Sequence, residues 1–285
     1  MKAKTREWLN TAPSLLWLVG LVLVPVLIVF AIAFRPALPA GGIGPGWSLK
    51  AVRALADPVY LGLLANTVAV SAVTTLACIV MALPVAFAMA RLAPRWRARV
   101  LLLVIVPFWT NFVIRVFAWQ QILHAQGALA EALRWTGLLG ETDRLLGNFA
   151  AVVVVSVYTY LPFAILPLFA AAEKFDFHLL DAARDLGARP LRAFVAVFIP
   201  GIRQGLVTAL LVVFIPMLGS YVVPDMVGGT GTQMLGNKIA QRNFNDRNLP
   251  EAAALSGALT LLVLAPLLLR RKDPAAVEPE PKANL

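Results

Sequence analysis

Long uncharged stretches decide what this chain can become. Trp8 to Phe34, Pro58 to Ala90, Leu145 to Ala172, Gln204 to Pro224 and Ala252 to Leu269 each run without a charged side chain. A sixth, Val100 to Leu129, is interrupted only by Arg115 and the weakly basic His124. Crossing a hydrocarbon core takes about 20 apolar residues of helix. Lipid admits only structures whose backbone polar groups pair internally, and runs this long and continuous suit helices rather than strands. The expected fold is therefore all-α, a polytopic membrane protein with six transmembrane helices near 13–34, 62–90, 100–123, 148–172, 204–226 and 252–269. Composition agrees: 14% of residues are charged, against about 25% in soluble domains. The first apolar stretch is too long for a signal-peptide core and no A-x-A-like site is evident, so it reads as a span.

The basic residues set the orientation. With the N-terminus inside, inside segments carry 16 of the 25 Lys and Arg and outside segments carry 8, with Arg115 inside a span. Both termini are thus expected in the cytoplasm. The net charge of +10 is spread over loops in this way, which argues against a nucleic-acid partner and for membrane lipid. Prolines fall in every span (Pro25, Pro84, Pro107, Pro162, Pro167, Pro216 and Pro266), and each removes a backbone hydrogen bond that neighbouring groups must replace. The C-terminal "RRKDPAAVEPEPKANL" reads as a disordered polar tail.

Catalytic signatures are missing. No Gly-Lys dipeptide occurs, so there is no Walker A loop, and there is neither HExxH nor CxxC. The single cysteine, Cys78, excludes an intrachain disulfide. His124 and His178 read as solvated loop residues. "GGTGTQMLG" (228–236) follows a helix rather than a strand and reads as a flexible outer loop, not a phosphate cradle. The chain is expected to be no enzyme and to hold no metal or cofactor.

One charged segment breaks the pattern, "LLDAARDLGARPLRAFVAVFIP" at 179–200, on the cytoplasmic side between the fourth and fifth spans. Ala182, Ala183 and Arg184 favour helix. Gly187 can stop it in the left-handed region, and Pro190 can open the next helix in its first turn. Leu179, Leu180, Ala183 and Leu186 can share one apolar face. Such a helix could lie on the membrane surface or dock in a groove of another protein.

The sequence favours docking. "DAARDLGARPLRAFVAVFIP" closely resembles the coupling motif of ABC-importer permeases: E-A-A, three residues, G, then a run ending in a hydrophobic residue and proline. Asp181, Ala182, Ala183, Gly187 and Pro200 match those positions. Asp181 stands where the family usually has glutamate, a carboxylate one methylene shorter. Asp185 lies between the matching residues. The resemblance spans residues 60–270, with 1–59 as an N-terminal segment holding the first span and an outer loop, and 271–285 as the tail. "VPFWTNFVIRVFAWQQIL" (106–123), "YTYLPFAILPLFAAAEKFDFHLLDAARDLGA" (158–188) and "GSYVVPDMVGG" (219–229) are similar to the first permease of spermidine/putrescine importers. The resemblance implies a type I ABC-importer permease fold in a bacterial inner membrane. It also implies a second, different permease subunit, two copies of an ABC ATPase that hydrolyses the ATP, and a periplasmic substrate-binding protein.

Other solutes share this architecture, among them opines, phosphonates, sulfate and ferric iron. A secondary transporter would be expected to carry ion-coupling carboxylates in its spans, and here the only carboxylate near one is Asp225. A polyamine, a flexible polycation, favours carboxylates and aromatic faces. The candidate path residues are accordingly Trp109, Asn111, Trp119, Tyr158, Tyr160, Tyr221 and Asp225, although Trp and Tyr also populate interfacial belts. Arg115, costly in lipid, is expected to face protein or water and to pair with a carboxylate. Reporter fusions test the topology: those at Gly140 and Gly231 are expected to report the periplasm and one at Asp185 the cytoplasm, and inversion at any of the three refutes it.

Overall fold

The computed structural model describes the backbone of residues 2–140 and 143–269 and the side chains of residues 11–140 and 143–265. The tail expected at 271–285 lies outside the described residues. Helix follows helix: α1 (Lys2–Ala33), α2 (Lys50–Ala54), α3 (Pro58–Arg91), α4 (Pro94–Ile105) with a 3₁₀ turn at Val106–Trp109, α5 (Phe112–Leu123), α6 (Ala128–Trp135) and α7 (Phe149–Glu173). Then come α8 (His178–Asp185), α9 (Pro190–Ala193), a π-helical turn (Phe194–Phe198), α10 (Ile199–Gly201), α11 (Arg203–Leu218), α12 (Val222–Val227), α13 (Leu235–Ala240), a second π-helical turn (Gln241–Asn245) and α14 (Leu249–Leu269). Among the described residues there is no strand, only an isolated antiparallel bridge between Ala37 and Ile43.

Two compact units form. The first is the described part of Met1–Val52 with Asn248–Leu285, built on α1 and α14. Gly257 lets these two approach, since a Cβ there would stand 3.1 Å from Phe30 Cε1. After α1, Arg35 lies over the Trp47 ring at 4.7 Å and its Nη1 donates to the Gly46 carbonyl.

The second unit, Arg53–Arg247, is centred on α3, α7 and α11. Their facing surfaces are apolar and mostly small: Cys78, Ala82 and Ala86 of α3, Ala164, Leu168 and Ala172 of α7, Ala209 and Val213 of α11 are all buried. Small residues suit helix association where lipid gives no hydrophobic drive. Gly205 is the tightest point, because a Cβ there would collide with the Ala171 methyl and stand 3.0 Å from the Pro167 carbonyl. At the foot of the unit Arg97 acts as a clamp. Its Nε and Nη2 donate to the carbonyls of Leu92 and Ala90, each at 2.7 Å, capping the end of α3, and its Nη1 meets Glu173 at 3.0 Å.

The helices α1, α3 and α7 are each long and apolar enough to cross a membrane. The third and fifth expected spans differ from the sequence reading. The third, expected as one helix over 100–123, breaks at Thr110 and Asn111 and bends by 88°. Asn111 is the cause: its Oδ1 accepts from the Val113 and Ile114 amides and so starts a new helix, after Pro107 has tightened the preceding turn. The fifth, expected over 204–226, ends at Leu218 and resumes at Val222. Pro216 cannot donate to the helix ladder, and Gly219 follows the last turn. The chain also bends by 74° between Pro190–Gly201 and Arg203–Leu218.

Gly205→Leu is expected to lower the thermal midpoint of the detergent-purified protein by several degrees, since overpacking costs roughly 1–3 kcal/mol. Gly62→Ala, with nothing within 4 Å of the added methyl, is expected to leave it unchanged or slightly raised. Equal midpoints for the two variants would refute the close α7–α11 approach.

Candidate functional site

The charged segment folds as its local chemistry dictates. The His178 amide donates to Asp176 Oδ1 at 3.0 Å, opening α8. At the other end Gly187 has φ +87°. Its amide donates to the Arg184 carbonyl at 2.8 Å and that of Ala188 to the Ala183 carbonyl at 3.0 Å, the paired bonds of a Schellman stop. Arg189 is extended and Pro190 opens α9. The apolar face is narrower than expected. Leu180 is buried and Ala183 packs on the same core, whereas Leu179 is 51% and Leu186 89% exposed. Helical turning places those two beside Asp181, Ala182 and Asp185, which are also exposed.

Below α8 lies a nest of phenylalanines drawn from three parts of the chain. Phe87 of α3 meets Phe198 at 4.9 Å and Phe194 at 5.2 Å between ring centroids. Phe175 meets Phe177 at 5.4 Å and Phe198 at 5.2 Å. Arg91 lies over Phe87 and Phe177 at 5.3 and 5.7 Å. A Cβ at Gly201 would strike the Phe175 ring, so the bend after Pro200 is tied to the same nest. Edge-to-face pairs are a preferred ring geometry, and they join α8 to the ends of α3 and α7 and to the turn that leads into α11. The Asp181–Arg184 pair, 3.9 Å apart with both side chains well exposed, adds little and leaves Asp181 open to an outside partner.

A second constellation gathers where the broken spans meet α7. Trp119 of α5 sits edge-on to Tyr158 at 5.4 Å, and Phe108 stacks on Tyr158 at 6.3 Å. Phe163 approaches Phe108 at 6.4 Å and Tyr160 at 6.3 Å. Among the candidate path residues, Trp119, Tyr158 and Tyr160 are thus brought together. Trp109 is 79% exposed and none of these ring contacts includes it. Asn111 spends its carbonyl oxygen on capping α5. Phe108 and Phe163 were missed in the sequence, where a lone Phe in an apolar run carries no signal.

Arg115 overturns its expectation. No carboxylate among the described residues lies within 4.0 Å of it. Its guanidinium instead stands over the Phe108 ring at 4.5 Å, with Nε and Nη1 buried and without a hydrogen-bond partner. The carboxylates of the described chain sit elsewhere, in loops or at helix ends.

Tyr221 and Asp225 belong to the second break. Asn237 brackets it: its Nδ2 donates to the Tyr221 carbonyl at 3.0 Å and reaches Asp225 Oδ1 at 3.5 Å, while its Oδ1 accepts from the Met234 amide at 3.1 Å. Gln120 Nε2 donates to the Met226 carbonyl, and the Leu235 amide to Thr67 Oγ1 at 2.8 Å. The segment 228–236 is therefore no loose loop. Met234 is fully buried, and Thr232 Oγ1 both accepts from the Gly229 amide and donates to its carbonyl. Spacing alone could not reveal Asn237, since its partners lie 3, 12 and 16 residues away.

Comparison with known proteins adds the following. The family model for binding-protein-dependent transport system inner membrane components matches residues 9–275. The chain is 36% identical over 247 residues to the spermidine/putrescine transport system permease protein PotB of Escherichia coli (strain K12), covering 87% of this chain and 90% of that one. It is 30% identical over 233 residues to the inner membrane ABC transporter permease protein YdcU of the same organism, covering 78% and 74%. Among solved structures, a bacterial ABC transporter involved in the import of the acidic polysaccharide alginate aligns with a TM-score of 0.67, covering 94% of this chain and 95% of that one. Its 17% identity carries the fold alone.

Asn237→Leu keeps the size of the bracket and removes its polar groups. The loss is expected to lower the thermal midpoint, chiefly through the amide of the fully buried Met234, since an unpaired buried donor costs about 1–3 kcal/mol. Asn237→Gln, which keeps both the donor and the acceptor one methylene further out, is expected to lose less. An unchanged midpoint for Asn237→Leu would show that the break stands without it.

Proposed function

Because the chain belongs to the family of binding-protein-dependent transport system inner membrane components, we propose that this ABC-importer permease subunit forms half of a path for polyamines of the spermidine/putrescine type. The observation that carries the solute is its likeness, over most of its length, to the spermidine/putrescine permease of Escherichia coli. The chemistry is compatible. A polyamine spaces ammonium groups along methylene chains, and the Phe108, Trp119 and Tyr158 rings offer faces to cations and apolar surface to the spacers. Asp225, exposed at the first turn of α12, offers a carboxylate, and Tyr221, 45% exposed, stands beside it. In this reading Trp109, Asn111 and Tyr160 line or shape the same path.

Coupling follows from α8. Asp181, Ala182, Asp185 and Leu186 face an ATPase on the cytoplasmic side, and Ala183 and Leu180 hold the helix to the phenylalanine nest. Closure of the ATPase displaces α8, and the nest passes that displacement to α3, α7 and α11. The assembly this requires is a heterodimer with a second permease subunit, two copies of the ATPase and a periplasmic binding protein, with both termini of this chain in the cytoplasm. ATP is hydrolysed in the ATPase, not here.

The assembled importer in proteoliposomes tests both parts. ATP-dependent uptake of labelled spermidine or putrescine is the expected result, and uptake of neither overturns the solute. Gly187→Val is expected to leave membrane insertion and assembly intact and to remove most substrate-stimulated ATP hydrolysis. The left-handed region costs a residue with a Cβ about 1–2 kcal/mol, more when it is β-branched. Gly187→Asn, which tolerates that region better, is expected to retain more. Full stimulation in the valine variant would remove the bend from the coupling mechanism.

A further inference from the structure

The Phe108 face is already occupied by a cation belonging to the chain itself. Arg115 stands 4.5 Å above that ring, and Phe108 is the ring through which Tyr158 and Phe163 connect. Arg115 is poorly held there. Two of its nitrogens are buried without an acceptor, and no carboxylate among the described residues is within 4.0 Å. A guanidinium in a membrane-spanning protein ordinarily finds a counter-charge or a carbonyl. Here, among the described residues, what it meets instead is the π face. A π face without hydrogen-bond acceptors holds the guanidinium weakly, so another cation can compete for the ring when the side chain swings toward water. The neighbouring rings leave room for such competition, as Phe108, Trp119, Tyr158 and Tyr160 are all only partly buried. The ring also sits beside the 88° break at Thr110–Asn111, where the backbone is not locked into one straight helix.

We propose that Phe108, with Tyr158 and Trp119, forms a site for an organic ammonium group, and that Arg115 fills it as a tethered stand-in until substrate displaces it. The proposal rests on the polyamine reading above and adds the site and its internal competitor. In chemical terms the exchange is one cation for another over the same π face. No net charge enters the aromatic cluster, and the path closes behind a departing substrate when Arg115 returns. The internal competitor also sets a threshold. A single weakly binding ammonium does not win the ring, whereas a chain whose other ammonium is already held at a carboxylate does so at high effective concentration.

The test uses the complete importer in proteoliposomes, with spermidine as probe and uptake measured against its concentration. Arg115→Met keeps length and apolar contact and removes the competing charge. It is expected to lower the KM for uptake by roughly two- to thirtyfold, the range a cation–π contact spans. Phe108→Leu removes the face for both cations and is expected to raise KM by a similar factor, and Phe108→Tyr, which keeps it, to leave KM near that of the unaltered importer. In the Arg115→Met/Phe108→Leu double variant the gain from losing the arginine is expected to vanish. An Arg115→Met complex that fails to assemble leaves the decision to the Phe108→Leu and Phe108→Tyr pair, whose equal KM values overturn the proposal. An unchanged or raised KM in an assembled Arg115→Met importer overturns it too. Absence of spermidine uptake by the unaltered importer overturns the solute reading and this proposal with it, whereas normal uptake with indifferent variants overturns this proposal alone.

Discussion

Within hydrocarbon every backbone N–H and C=O must find a partner inside the protein, and the rest of this structure depends on how two interrupted spans meet that demand. Each break frees peptide groups that a continuous helix would have paired. Asn111 supplies an acceptor to the amides that open α5. Asn237 supplies a donor to the Tyr221 carbonyl. Gln120 and Thr67 take up groups on either side of α12. These polar side chains let irregular backbone stand beside α7, and irregular backbone is what turns Phe108 and Trp119 toward Tyr158.

The same logic separates the two ends of the unit. At the foot, the Arg97 clamp and the phenylalanine nest make a stiff junction, dominated by charge-assisted hydrogen bonds and edge-to-face rings. At the breaks, neutral side-chain hydrogen bonds hold the backbone, and Arg115 rests on a ring with Nε and Nη1 unpaired. In the coupling proposed above, a displacement of α8 enters through the nest and reaches the interrupted helices beyond it.

Legibility in the sequence followed the range of the interactions. The stop at Gly187 and the start at Pro190 were readable because both are decided by residues within a few positions, through backbone conformation alone. The long apolar helices α1, α3 and α7 were readable because length and charge suffice. The breaks in the third and fifth segments were not. Hydropathy registers "FWTNF" and "MLGSY" as uninterrupted apolar or neutral text, and the asparagine that caps or brackets a break looks like any other polar residue. The outer faces of α8 were misjudged for Leu179 and Leu186, since an amphipathic pattern does not say which of its leucines the neighbouring core reaches. Arg115 was expected to seek a carboxylate because that is its strongest partner, and the fold brought a ring to it instead.

The π-helical turn at Phe194–Phe198, in which the Ile199 amide bonds to the Phe194 carbonyl, has a consequence for register. A π turn holds one residue more than the α turn it replaces. Removing that residue would restore a regular helix and rotate everything before it by about 100° relative to α11. Leu180 would then turn away from the phenylalanine nest and the carboxylates of α8 would swing to another face. The distance in sequence between Gly187 and Gly201 thus works as a phase setting: its length cannot change by one without misaiming the helix it carries.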